Sequence, residues 1–241
     1  MFIKKSNKNT RKLHLVSNSE MPFAFVESYK SLRTNLKFIS KTNNANCFVV
    51  TSSIPEEGKS NVVINLAATL GNSENKVLVI DCDLRKPAIN KYLKFSRNHK
   101  GLTNIIAGEI SLEEAIDNVP DLNIDVLLSG TIPPNPSEIL ASNDMKELID
   151  YVKKQYDYIL IDTPPVSVVT DAAILGTVAD GAVLVIKSKF ASSDIVRKAI
   201  KSLDTVGVKI FGVIVSQFNP KKSNRSKSSY SYSYNYYGED K

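Results

Sequence analysis

Six short, almost wholly apolar runs recur through the middle of the chain: Cys47–Ser52, Val77–Asp81, Ile124–Leu128, Tyr158–Asp162, Ala182–Ile186 and Ile210–Val215. A strand with one wet face alternates apolar and polar residues; these runs do not, so both of their faces should be covered. Between them, apolar residues fall at helical spacing near Asn61–Leu70, Met145–Lys154 and Ser192–Val206. Strand and helix patterns in alternation predict an α/β fold, with a mostly parallel central sheet and helices on both faces.

Ahead of the first run, Phe25, Tyr29, Leu32 and Leu36 lie on one face of a helix predicted over Phe23–Phe38. Glu27, Lys30 and Arg33 make a charged stripe on the same helix. Read alone, it is a solvated surface; lying outside the strand–helix repeats, it could equally face a neighbouring subunit. Beyond Asn219 the aliphatic side chains stop. Such a composition does not bury enough surface to offset the entropy of ordering, which predicts a disordered tail. The expected organisation is a basic arm over 1–20, one domain over 21–219 and a tail over 220–241.

With 241 residues, 42% of them hydrophobic and 23% charged, the chain suffices for one globular domain. No stretch reaches the ~20 apolar residues that span a bilayer, and no apolar run follows the basic start, so a cytoplasmic location is expected. The net charge of +6 invites a nucleic-acid reading, but the excess sits at the two ends and no groove-reading motif accompanies it. No nucleic acid is therefore expected as partner. Cys47 and Cys82 fall in or beside buried strands and read as small core residues.

The first strand runs into Ser53-Ile54-Pro55-Glu56-Glu57-Gly58-Lys59-Ser60, and a helical pattern starts at once. This is a P-loop in its proper strand–loop–helix setting, except that Ser53 stands where the first Gly is usual. It makes the fold P-loop NTPase-like, with Ser53, Pro55, Glu57, Gly58, Lys59, Ser60 and Asn61 as nucleotide-binding candidates. Gly58 lets the backbone approach an anion that successive N–H groups and the helix N-terminus attract. Lys59 can reach the β- and γ-phosphates of ATP, and the Ser60 hydroxyl can ligate Mg²⁺.

Two further strands end in acid: Val77–Asp81, continued by Cys82-Asp83-Leu84-Arg85-Lys86, and Tyr158–Asp162. In an open parallel sheet the carboxyl ends of the strands line the ligand crevice. A desolvated carboxylate needs a partner, and Mg²⁺ is one. An ordinary P-loop ATPase needs one such acid, so the extra pair suggests a base for an incoming hydroxyl. Only about one tyrosine in a thousand is ionised at neutral pH, and a placed carboxylate is typically worth ~10²–10⁴-fold in rate. Arg85 and Lys86 could stabilise charge on the transferred phosphoryl group.

Five of the ten tyrosines, Tyr230, Tyr232, Tyr234, Tyr236 and Tyr237, crowd into the tail in near alternation with serine. An aromatic edge strand, a self-associating segment and a single-strand nucleic-acid platform are alternatives for the tail taken alone. Beside an ATP site with a spare carboxylate, it reads as a multi-site phosphoacceptor whose modification would change its charge and hence its association.

These residues resemble the bacterial tyrosine kinases of capsule and exopolysaccharide operons, in the Gram-positive arrangement where the kinase is separate from its membrane activator. The resemblance runs from Glu27 to Tyr237 and is carried by Pro55–Ser60, Asp81–Pro87, Asp162-Thr163-Pro164-Pro165 and Ser129–Glu138. It implies ATP and Mg²⁺ bound by Lys59 and Ser60, Asp81 and Asp162 at the metal, and Asp81 or Asp83 as base. Lys59 and Arg85 complete the implied catalytic set. It further implies a ring-like homo-oligomer in which one subunit's tail enters the next subunit's site. Glu27, Lys30 and Arg33 are similar to the family's oligomerisation motif, with Lys30 where an arginine is usual. A transmembrane polysaccharide co-polymerase as activator, a cognate tyrosine phosphatase and a place at the inner face of the membrane also follow from the likeness. The rival readings are a partitioning or septum-placement ATPase and an ATP-binding scaffold.

Overall fold

Every predicted apolar run forms a strand, and all of them join one sheet. The computed structural model describes residues 14–96 and 99–218. In chain order its elements are α1 (Phe23–Asn43), β1 (Cys47–Ser52), α2 (Lys59–Gly71), β2 (Val77–Asp81), α3 (Ile89–Tyr92), α4 (Leu102–Ile106) and α5 (Leu112–Ala115). There follow β3 (Ile116–Val119), β4 (Ile124–Leu127), α6 (Pro136–Leu140), α7 (Asn143–Val152), β5 (Tyr158–Asp162), α8 (Asp171–Gly176), β6 (Gly181–Lys187), α9 (Ser193–Asp204) and β7 (Ile210–Ser216). The strand order is β3-β4-β2-β5-β1-β6-β7. All neighbours are parallel except β3, which runs antiparallel to β4.

The apolar runs are explained by the two layers they bury. Alternate residues of a strand point to opposite faces. Cys47, Val49, Leu78, Ile80, Ile159 and Ile161 pack toward α7, α8 and α9. Phe48, Val50, Val77, Val79 and Leu160 pack toward α1 and α2. β1, β2 and β5 are buried along their whole length. Both cysteines are buried and unpaired, as expected.

Helix ends follow local chemistry. Ser142 and Ser192 cap α7 and α9 by accepting from the N–H groups of Met145 and Ile195. Asn44 stops α1 in the left-handed conformation, its N–H returning to the Ser40 carbonyl. Gly58, at φ +87°, makes the turn that starts α2.

Two expectations change in detail. Leu15 and Val16 pack on the α2 layer, and Val16 N–H donates to Asn65 Oδ1 at 2.7 Å, so the globular unit begins before residue 21. In the stripe of α1, Lys30 pairs with Glu27 at 2.7 Å. Arg33 instead turns inward and donates to the Thr69 carbonyl and to Ser73 Oγ at the end of α2. The reason is position: Arg33 lies beside α2's last turn, whose carbonyls lack helical partners. The tail over 220–241, with its five tyrosines, lies outside the described residues, as do the lysines and arginine of the first 13 positions.

Candidate active site

β1 lies between β5 and β6, and its end delivers the chain into the P-loop. Asp81 and Asp162 end adjacent strands in matched register, which sets both carboxylates at one end of the sheet. Lys59, the first residue of α2, reaches across to them. Its Nζ is 3.0 Å from Asp83 Oδ2 and 3.4 Å from Asp162 Oδ1, and it donates to Ser60 Oγ at 3.4 Å. Residues separated by 103 positions in sequence thus meet at one end of the sheet.

The three carboxylates are not equivalent. Asp81 is fully buried and accepts from the N–H groups of Asp83 and Ile89, which folds the chain after β2 into a tight turn. Burial, reinforced by Asp162 and opposed by Lys59, pushes its pKa up to about 8. Asp162 is also fully buried, and burial lifts its pKa against the opposing pull of Lys59. Its Oδ2 is buried without a hydrogen-bond partner. Asp83 is held by Lys59 on one oxygen and by Lys86 N–H on the other, and is the one of the three that keeps some exposure. Burial opposes the charge of Lys59, but Asp162 and Asp83 override it and hold its pKa above the usual lysine range.

The donor set fits a magnesium ion. Asp162 Oδ2 is an oxygen in want of a partner, and the Ser60 hydroxyl hydrogen-bonds the same carboxyl group. Among the described residues no group of three or more His, Cys, Asp or Glu forms a metal cage. Mg²⁺ binds through one or two protein oxygens and takes the rest from water and substrate phosphates.

The loop itself is held from beneath. Glu57, fully buried, accepts from Ser53 Oγ at 2.6 Å, Ile54 N–H at 2.9 Å and Lys187 N–H at the end of β6 at 3.1 Å. Ser216 Oγ, at the end of β7, donates to the Glu57 carbonyl at 2.6 Å. The side chains of Ser53 and Glu57, two of the nucleotide-binding candidates, both point inward, because their hydrogen bonds close the loop on the sheet. It also accounts for serine in place of the usual glycine, since its hydroxyl has a buried acceptor. Pro55 is exposed on the loop and Gly58 contributes backbone. Asn61 accepts from Asn65 Nδ2 through its carbonyl and its side chain.

Arg85, expected to stabilise charge on the transferred phosphoryl group, is held by neighbouring side chains. Its Nε and Nη2 form a two-point pair with buried Asp171 at 2.9 and 3.0 Å, and Nη2 also donates to Ser137 Oγ at 2.8 Å. Ser137 Oγ donates to the same carboxylate. The pair raises the guanidinium pKa above its normal value. Asp171 and Ser137 were missing from the predicted site. Asp171 reads in sequence as an ordinary acid in the first turn of α8, and only Ser137's place in the Ser129–Glu138 run hinted at it. Ser216, opposite Gly58, was also missing from the predicted site.

Residues 57–210 match the AAA domain family. The chain is 38% identical over 238 residues to the tyrosine-protein kinase YwqD of Bacillus subtilis, covering 99% of this chain and 97% of that one. It is 32% identical over 216 residues to the tyrosine-protein kinase etk of Escherichia coli, covering 90% of this chain but 30% of that longer protein. The solved kinase domain of the E. coli tyrosine kinase superposes with a TM-score of 0.79 at 33% identity, covering 85% of this chain and 80% of that one. The septum site-determining protein MinD of Pyrococcus horikoshii, solved with Mg-ADP, superposes with a TM-score of 0.63 at 25% identity, over 77% of this chain and 75% of that one.

Proposed function

This chain belongs to the family of bacterial tyrosine-protein kinases, and we propose that it uses Mg-ATP to phosphorylate the tail tyrosines Tyr230, Tyr232, Tyr234, Tyr236 and Tyr237 of a neighbouring subunit. The observation that carries the reading is the meeting of Lys59 with Asp83 and Asp162, with Asp81 directly behind.

The P-loop N–H groups and the N-terminus of α2 hold the phosphates of ATP. Lys59 leaves its carboxylates to follow the charge of the β- and γ-phosphates. Ser60 and Asp162 would hold a magnesium ion, whose charge would neutralise the phosphate oxygens when bound. Asp81, tied to two backbone N–H groups, keeps the turn that presents Asp83. Asp83, the more accessible of the pair, takes the proton of the tyrosine hydroxyl as its oxygen attacks the γ-phosphorus. ADP leaves with the electrons of the broken bond, and the product is phosphotyrosine.

The surroundings follow from the same reading. The kinase assembles as a ring through α1, with Lys30 exposed and Glu27 half-buried on it and Arg33 bracing α2. It works at the inner face of the membrane on a transmembrane polysaccharide co-polymerase, is reset by a tyrosine phosphatase, and regulates capsular or exopolysaccharide synthesis. Among the described residues no helix is long and apolar enough to cross a membrane, which suits recruitment by such an activator.

The test is incubation of the purified chain with Mg-ATP, with and without the cytoplasmic segment of an activator, followed by phosphotyrosine detection. Wild type gains label in residues 230–237, and Lys59→Met does not. Label that persists in Lys59→Met would sink the autokinase reading. A septum-placement type of ATPase switch would hydrolyse ATP and leave the tail unmodified.

A further inference from the structure

Arg85 is fixed more firmly than an exposed arginine needs to be. Nε and Nη2 bind Asp171, which is fully buried, and Ser137 closes the arrangement from the first turn of α6. Three segments, after β2, at the start of α6 and at the start of α8, thereby converge on one guanidinium. Its Nη1 has no partner among the described residues, and the side chain is 37% exposed. The Lys86 N–H bond to Asp83 Oδ1 makes the turn tight, so Arg85 and the exposed Lys86 stand directly beside Asp83. A clamp of this kind leaves one edge of a pre-oriented donor facing outward, the arrangement that suits a phosphate oxygen.

The tail supplies a matching pattern. Tyr230, Tyr232, Tyr234 and Tyr236 are spaced by two. In an extended bound peptide, residues two apart share a face and lie about 6.6 Å apart. With one tyrosine hydroxyl at Asp83, a neighbouring phosphotyrosine comes to the side where Arg85 and Lys86 lie. Its charge of about −2 at neutral pH is repelled by Asp83 and ATP. Lys59 offsets that repulsion, and direct charge-assisted hydrogen bonds outweigh what is left.

We propose that Arg85, held by Asp171 and Ser137 and assisted by Lys86, is a specificity-determining residue that binds a phosphate already present two residues from the acceptor tyrosine. The tail is then modified in a primed order. This rests on the tail being the substrate.

The test uses the full chain with fluorescein-labelled peptides of the 229–238 sequence, keeping Tyr232 as acceptor with the other tyrosines changed to Phe. One form carries phosphate at position 234, one carries phosphoserine at 233, and one carries none. With Mg-ADP present, anisotropy should show the 234-phosphorylated peptide binding about tenfold tighter than the unmodified one. With Mg-ATP, kcat/KM at Tyr232 should rise in step. Phosphoserine at 233, facing the other way, should gain little. Arg85→Lys, which keeps a charge for Asp171 but loses the outward fork, should reduce the ratio toward one. Equal or weaker binding of the 234-phosphorylated peptide, an equal gain from phosphoserine at 233, or an unchanged ratio in Arg85→Lys would each overturn the inference. If no form is bound or labelled, the tail-as-substrate reading itself fails.

Discussion

Asp162 has two unlike oxygens. One meets Lys59; the other is buried with no partner, and the neighbouring Asp81 adds a second desolvated carboxylate. Such clusters are retained for function at a cost in stability. Asp162→Asn keeps an acceptor for Lys59 and removes one buried charge. It should raise the nucleotide-free melting temperature by about 2–4 °C, a gain of ~1 kcal/mol, while phosphotyrosine labelling falls about a hundredfold. Calorimetry and phosphotyrosine detection on the same preparation would check both. The thiols carry a different signature. Burial, reinforced by Asp180, pushes the Cys47 pKa from 9.0 up to about 12, and Cys82 is raised as well. A raised folded pKa stabilises fully below the unfolded value and is lost as pH climbs through the folded one. Unfolding free energy should therefore decline above pH 9.0, by about 1.4 kcal/mol per pH unit per thiol. Cys47→Ala should remove about half of that component in denaturant titrations from pH 8 to 11.

At the scale of elements, the P-loop is shaped by what lies under it. Glu57→Ala strands Ser53 Oγ and the N–H groups of Ile54 and Lys187 without their acceptor. Each buried, unsatisfied group costs ~1–3 kcal/mol, so a loss of about 3 kcal/mol in urea unfolding is expected, with weaker ATP binding in fluorescence titration. Glu57→Gln, which still accepts, should keep a larger share of both. The last turn of α2 is equally constrained. A Cβ on Gly71 would meet the Asn123 carbonyl oxygen at 2.1 Å, so Gly71→Ala should destabilise by about 1–3 kcal/mol despite alanine's better helix propensity. Local pattern made the long elements legible: α1, α2, α7 and α9 each complete several turns with caps or periodicity, and the buried strands read as unbroken apolar runs. The missed elements are α3, α4, α5, α6 and α8, of four to six residues, and β3, an edge strand of sequence Ile-Asp-Asn-Val. A helix of about one turn shows no period, and an edge strand needs no apolar run.

For the whole molecule, stability and substrate should come apart. Residues 220–241 contain no aliphatic side chain, so their deletion should leave the melting temperature and Mg-ATP affinity unchanged while abolishing self-labelling. A large loss of stability would mean that the tail is part of the core. The sequence alone determined the layered α/β fold and the nucleotide end of the sheet. Both depend on local order: apolar runs must be covered, and Gly58, Lys59 and Ser60 act within one turn of each other. It also named Asp81, Asp83 and Asp162, because each closes or follows a recognisable strand. Only the tertiary structure decided what those groups touch. The clamp on Arg85 joins residues 86 and 34 positions apart, and Glu57 reaches a backbone N–H 130 positions away. No spacing encodes such contacts, since they arise when the loops at the carboxyl ends of separate strands are folded against one another.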